Sequence, residues 1–445
     1  MKALIAVLVL ISFSTSGRSQ DAKNVLLLDV WNDTTIPLAT EEARFSDLWS
    51  FTAQNGTYVA AGSSRGVEIL EVINKELRHV ATGLAAFQGF TVIHRDYKTY
   101  GNYLYAVCDE GTSTLQIFDT SFLPDSLPLV YDSNNFFTIC HNIYIDTNKA
   151  KMYACGPNNL GMKVFDLSNP TAPSLISDFN AVNYVHDAYV RDDTAFLNCG
   201  PDGLRVYDFS NPTPILLGIM DFYADQGYNH SGWWNPKGSY YAFVDEDKGA
   251  RIKLCATDNL AGIAISETFA ADEYENFTPH NIILTDRLAF VSYYNLGLRV
   301  YDYGAFPIQE IAHYDTFHQE TEYTLNGAWG VSILENQNLV LISDRQNGIF
   351  LFEMPIDLLD KEQSETFISN QPFIDEHSIL IPRAYFAEEP LLFSIFRADG
   401  AKVYHQEEIY NWMNIPLNIS AGSYVFGIYT KDGSLIENGK FVKAN

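Results

Sequence analysis

Gly161-Met-Lys-Val-Phe-Asp166, Gly203-Leu-Arg-Val-Tyr-Asp208 and Gly297-Leu-Arg-Val-Tyr-Asp302 are one phrase written three times. Looser copies read Gly66-Val-Glu-Ile-Leu-Glu71, Leu115-Gln-Ile-Phe-Asp119 and Gly348-Ile-Phe-Leu-Phe-Glu353, and another lies around Gly249–Leu254. Apolar and polar residues alternate, so each copy reads as a half-buried strand. Asp119 to Asp166 is 47 residues, Asp166 to Asp208 is 42, and Asp208 to Asp302 is 94, or two periods. Ahead of each phrase lies a second strand (Thr57–Ala61, Tyr103–Val107, Lys151–Cys155, Ala195–Cys199, Tyr240–Val244, Ala289–Ser292, Val340–Ser343), joined to it by turns such as Asp202-Gly203 and Asn347-Gly348. A further strand precedes these, starting at Trp49, His94, His141, His186, His230, His280 and Trp329. A fourth follows Pro at Ser174–Asp178, Ile215–Met220 and Gln309–His313. Three to four antiparallel strands repeated seven times, without helical periodicity, predict an all-β, seven-bladed β-propeller over residues 20–358. The apolar strand Asn24–Val30 is expected to supply the missing outer strand of the last blade and so cover its edge.

Outward from the repeats, the 445-residue chain holds 28 basic and 55 acidic residues, a net charge of −27. A field of that sign repels phosphate backbones and anionic lipids, which argues against a nucleic-acid partner. Residues 1–19 read as a signal peptide: Lys2, the apolar run Ala3–Phe13, then small residues Ser14–Ser19, with cleavage expected before Gln20. The run is too short to span a bilayer, and no later stretch reads as a transmembrane segment. The mature protein is therefore expected outside the cytoplasm in soluble form. After Glu353 the repeat register stops. A polar linker (359–366) leads to a unit at 367–445 with strands at Ile379–Ile381, Leu391–Phe396, Lys402–His405, Ser423–Tyr429 and Gly439–Val442, which predicts a small β-sandwich.

Two resemblances follow. Ser46-Asp-Leu-Trp49, His94-Arg-Asp96, His141-Asn142, His186-Asp187, His230-Ser-Gly-Trp233, His280-Asn281 and Gly327-Ala-Trp-Gly330, in that order, resemble the LVIVD-repeat, "choice-of-anchor B" family of secreted bacterial propellers. The resemblance covers Ser46 to Glu353 and implies a fold more than an activity. Phe393-Ser-Ile-Phe-Arg-Ala-Asp-Gly400, Ile419-Ser-Ala-Gly-Ser-Tyr424 and Gly439-Lys-Phe-Val-Lys443 resemble the type A C-terminal sorting domain of the type IX secretion system, although Ser369-Asn-Gln-Pro372 stands where that family opens on Pro-Asn-Pro. The resemblance implies a Bacteroidota-type source. It also implies a sorting signal carried by Asp399, Gly400, Gly422, Tyr424, Gly439, Lys440 and Lys443. Its reader would be the secretion translocon and its shuttle in the outer membrane.

The candidate site is the histidine column. His94, His141, His186, His230 and His280 open successive repeats, with Trp49 and Trp329 in the remaining two places. From each to the end of the next strand is 13–15 residues, which places the seven in one ring at a channel mouth, with Asp245 and Asp344 on the same face. Three roles are open to it: hydrogen bonding and packing between blades, a funnel for a polar ligand, or a catalytic metal site using Asp245 or Asp187. Calcium or zinc is the divalent metal that such donors suggest. Asp245-Glu-Asp-Lys-Gly249 reads as a calcium-holding or ordinary acidic turn, and Trp233-Trp234 with Tyr240 and Tyr241 as sugar-stacking or packing residues. Cys140 and Cys155 are expected to face each other across one blade, where they read either as a disulfide or as small buried thiols, while Cys255 has no candidate partner. No nucleophile elbow, zinc-protease helix or phosphate-binding glycine loop is present. The reading favours a secreted binding or interaction module for an extracellular ligand, with a metal-dependent extracellular hydrolase or lyase in the funnel as the alternative.

Overall fold

The computed structural model describes residues 22–355 apart from 273, 318–324 and 335–336. Of the C-terminal segment it describes 373–374, 378–380, 391–397, 400–409, 414–416, 420 and 422–443. The signal region, the linker 359–366 and Asp399 lie outside the described residues. The chain is all-β, and among the described residues no helix is long and apolar enough to cross a membrane.

Among the described residues, strands between 22 and 353 form seven antiparallel sheets in a propeller-like arrangement. The fourth is typical: Asp187–Arg191, Thr194–Asn198, Leu204–Asp208 and Ile215–Met220 pair in chain order. The first strand of each sheet touches the first strand of the next, and that of the last sheet (Ala328–Leu334) touches that of the first (Phe45–Ala53). Apolar clusters lie between neighbouring sheets rather than inside one. Tyr153 and Val164 of the third sheet, for instance, pack with Val190 and Leu197 of the fourth. This is the consequence of alternation in a strand covered on both faces.

The phrase glycine has a steric cause. A Cβ on Gly203 would lie 2.4 Å from the Met220 carbonyl oxygen, and one on Gly297 2.1 Å from that of Tyr314, each on the outer strand, and both glycines have positive φ. The phrase-ending aspartate starts the link to that strand: Asp166 accepts from Ser168 N (2.8 Å), and Asp208 from Ser210 N (2.7 Å). A register shift then separates the third from the fourth strand in each of the seven sheets.

Leu26–Trp31 pairs with Gly348–Glu353 as the outer strand of the last sheet, with the same register shift, and Gly348 meets the Trp31 carbonyl as Gly203 meets that of Met220. Ala22–Lys23 adds a fifth strand to the preceding sheet beside Gln309–Tyr314, a pairing its two residues did not announce.

In the C-terminal segment Lys402–Ile409, Leu391–Arg397, Gly422–Tyr429 and Leu435–Lys443 form one sheet in that order; Phe373–Ile374, Ser378–Leu380 and Asn414–Pro416 form another. Gly400 sits in a left-handed turn, Gly422 pairs with Lys443, Gly439 with Phe426 and Lys440 with Val425, and the Tyr424 hydroxyl donates to the Ser420 carbonyl.

Candidate functional site

Each column histidine stands immediately before its first strand or at a bulge within it. The His141, His186 and His280 amides donate to the carbonyls of Cys155, Asn198 and Ser292 at the end of the second strand. His230 and Trp329 occupy the register shifts of their sheets. With one such residue per sheet, six aromatic rings close into a circle. Centroid separations are 4.2 Å (His94–His141), 3.9 Å (His141–His186), 4.1 Å (His186–His230), 4.5 Å (His230–His280) and 4.3 Å (His280–Trp329), and 5.7 Å from Trp329 back to His94.

Trp49 does not join the circle, which corrects the seven-membered column. Its indole donates to Thr99 Oγ1 (3.1 Å) and lies under the Lys98 ammonium. The matching residue of the first sheet is Ser46, whose buried hydroxyl has no partner. The first sheet has the same one-residue bulge as the fifth and seventh, and Ser46-Asp-Leu-Trp49 runs in step with His230-Ser-Gly-Trp233, so a count made on bulky residues lands three positions late.

Asp245 and Asp344 also stay out of the circle. Asp245 forms a fully buried ion pair with Lys253 (2.7 Å) and accepts from Tyr223 Oη and Gly227 N, both 2.8 Å. Asp344 is fully buried and organises a turn by accepting from Thr316 Oγ1, Gln346 N and Asn347 N. Burial raises its carboxyl to about 6. The carboxylates that reach the circle are one residue further on. Asp109, after Cys108, meets His141 Nδ1 at 2.8 Å, and Glu246, after Asp245, lies 3.6 Å from His230 Nε2 and 3.9 Å from His280 Nε2. Successive side chains on a strand point to opposite sides, so an error of one residue exchanges a structural acid for a site acid.

Three of the imidazoles are held in one tautomer. Nδ1 of His186, His230 and His280 contacts the carbonyl oxygen of His230 (3.1 Å), His280 (2.9 Å) and Trp329 (2.7 Å) in turn. A carbonyl only accepts, so the proton sits on Nδ1 and the lone pair on Nε2. Burial, reinforced by neighbouring imidazoles, keeps His94, His186 and His280 well below the ordinary histidine range, and burial lowers His230. His141 goes the other way: burial opposes its charge, but the hydrogen bond it donates to Asp109 and that carboxylate's charge raise it above the usual value. Tyr184, Tyr228 and Tyr294 stand edge-on to the circle, and the Tyr294 hydroxyl donates to Glu246. The sequence reading does not single out Asp109 or these tyrosines, and it takes Glu246 only as part of the Asp245–Gly249 acidic turn. Their signal was position: Tyr184 and Tyr228 lie two residues before His186 and His230.

A second polar layer lines a cavity of ≈50 Å³ bordered by Asp47, Lys98, Asn142, Asp187, Ser231 and Trp233. Lys98 donates to Asp96 (2.8 Å). Burial raises Asp187 to about 6, and burial with the nearby Asp96 holds Asp47 well above the usual carboxylate range. Asp187 thus belongs to this layer. Trp233 packs edge-on against Tyr189, Trp234 lies against Arg191, and Asp247 caps the Tyr228 amide, so these motifs are occupied within the fold.

The Cys140–Cys155 disulfide is not formed; all five cysteines are free and buried. Asn142, not Cys140, is opposite Cys155, and the Cys140 thiol donates to the Cys155 carbonyl at 3.3 Å. No protein-family model matches the chain, and no curated protein is similar to it.

Proposed function

We propose that this chain is an exported seven-bladed β-propeller of the LVIVD-repeat type that acts as a binding module, with the histidine circle as its ligand site. A small C-terminal β-sandwich serves as its type IX secretion sorting domain. The cyclic contact of seven first strands supports the propeller, and the pairing of Leu26–Trp31 with the last sheet supports its closure by the mature N-terminus. The observation that carries the binding reading is the shared tautomer of His186, His230 and His280. Bridging to the next sheet uses only the Nδ1 side of these three rings. Tethering Nδ1–H of these three rings to backbone leaves their Nε2 groups ready to accept, next to the acids Asp109 and Glu246. Such a site suits a cation or a hydrogen-bond donor.

The test is a thermal-shift screen of small amines, sugars and short peptides against the chain and its His186→Asn variant. A compound that stabilises the chain but not the variant supports the site. Compounds that stabilise both equally count against it. For the sorting role, residues 367–445 fused to a fluorescent reporter should deliver it to the surface or medium of a bacterium with a type IX system; retention in the periplasm would refute that part.

A further inference from the structure

We propose that His186, His230 and Glu246 form a binding site for a borderline divalent transition metal of the zinc class. The proposal deepens the binding-module reading and rests on it. The ligand atoms of the three residues lie within 4.8 Å of one another. Two ligand atoms on a tetrahedral zinc, each about 2.1 Å from the ion, stand about 3.4 Å apart. His230 Nε2 and Glu246 Oε2 are already 3.6 Å apart, so this pair stands near ligand spacing and the His186 nitrogen closes on it from within 4.8 Å.

Three further features fit a metal. First, each imidazole offers its lone pair on Nε2 while its Nδ1–H is held by a main-chain carbonyl, the arrangement that orients metal-bound histidines. Second, the Tyr294 hydroxyl donates to Glu246 Oε1. That leaves Oε2 as the oxygen facing His230 and fixes the carboxylate from behind. Third, His186 and His230 are almost wholly buried, with Glu246 part-exposed beside them. The ion would therefore be reached from the side of Glu246. A two-nitrogen, one-oxygen set suits zinc, and a fourth position remains for water or for a ligand donor atom. His280 Nε2, 3.9 Å from Glu246 Oε1, is the neighbouring group best placed to accept a hydrogen bond from whatever occupies that position. The second triad, His94, Asp109 and His141, is a weaker candidate, because the His141–Asp109 hydrogen bond already uses Nδ1 of His141.

The full chain, stripped with EDTA and dialysed, is titrated with zinc by calorimetry at pH 7.5. The expected result is one saturable ion per chain. Affinity should fall by about 100-fold in Glu246→Gln and His186→Asn, by about 10-fold in Tyr294→Phe, and stay unchanged in Asp178→Asn, an exposed acid on the outer strand of the third sheet. Cobalt replacing zinc should give the visible absorption of a four-coordinate site, lost in Glu246→Gln. If His186→Asn does not reach the native melting temperature, Glu246→Gln decides, since its amide oxygen still accepts from Tyr294. Absence of saturable binding overturns the proposal. So does binding that survives Glu246→Gln, or binding abolished by Asp109→Asn and untouched by Glu246→Gln. A screen compound that still needs His186 in chelated protein, alongside failed zinc binding, would overturn the metal site while leaving the binding-module reading intact.

Discussion

Replacing Asp245 by Asn should unfold the fifth sheet's support while leaving the histidine circle's chemistry alone. Asp245 and Lys253 are both fully buried, 2.7 Å apart. The amide that replaces the carboxylate can still accept one of the two bonds from Tyr223 and Gly227, but it leaves the Lys253 ammonium without a counter-charge. Removing one partner of a buried pair costs about 3–5 kcal/mol. At about 2 °C per kcal/mol for a domain of this size, the melting temperature should drop by roughly 6–10 °C. The double variant Asp245→Asn/Lys253→Met removes the stranded charge and should recover most of that loss, because a buried pair contributes little net stability compared with neutral groups of similar volume. Thermal unfolding followed by circular dichroism reads all three proteins, and zinc titration of Asp245→Asn should match the parent. A single variant within 1 kcal/mol of the parent refutes the reasoning, as does a double variant no better than the single. Lost zinc affinity at full stability would return Asp245 to the site.

Glu68 is fully buried, and hydrogen bonds from His79, Arg65, Thr82 and Ser63 outweigh burial to hold its carboxyl down at about 2. A depressed carboxylate contributes stability above its unfolded value, near 4.5, and loses it as pH falls toward 2. The gap between the parent and Glu68→Gln should therefore be about 3 kcal/mol at pH 7 and close by pH 2; a gap that does not vary with pH would contradict the network. Burial raises the thiols of Cys108, Cys140, Cys155, Cys199 and Cys255. A thiol-reactive dye should accordingly label almost none in the native chain and all five in guanidinium without reductant; three labelled thiols would reveal a disulfide. Deleting residues 22–31 strips the outer strand from Gly348–Glu353 and should yield self-association by size-exclusion chromatography, because an unpaired edge recruits another chain; an unchanged monomer of native stability would show that the strand is dispensable.

The repeat was legible in the sequence because its causes are local. The phrase glycine exists to let the outer strand's carbonyl approach, the final aspartate to start a turn, and the alternation to fill the space between sheets; each recurs with the repeat. The same locality let Asn24–Val30 be read as a strand lacking a partner. The histidine column was visible for a related reason, since one imidazole at the head of each first strand is a positional rule. What the linear order could not decide is which neighbours share a face once strands bulge. In the first sheet the bulge at Phe45–Leu48 holds Ser46 at the ring position, and Trp49 falls three residues along, where Trp233 falls in the fifth. One step along the second strand exchanges Asp245, locked to Lys253, for Glu246, which faces His230 and His280. The tautomers of His186, His230 and His280 are set by carbonyls 44, 50 and 49 residues away, on the next sheet. Alternation along a strand comes from covalent geometry and is present in any window of sequence. The meeting of His186, His230 and Glu246 comes from ring closure and exists only when the sheets are assembled.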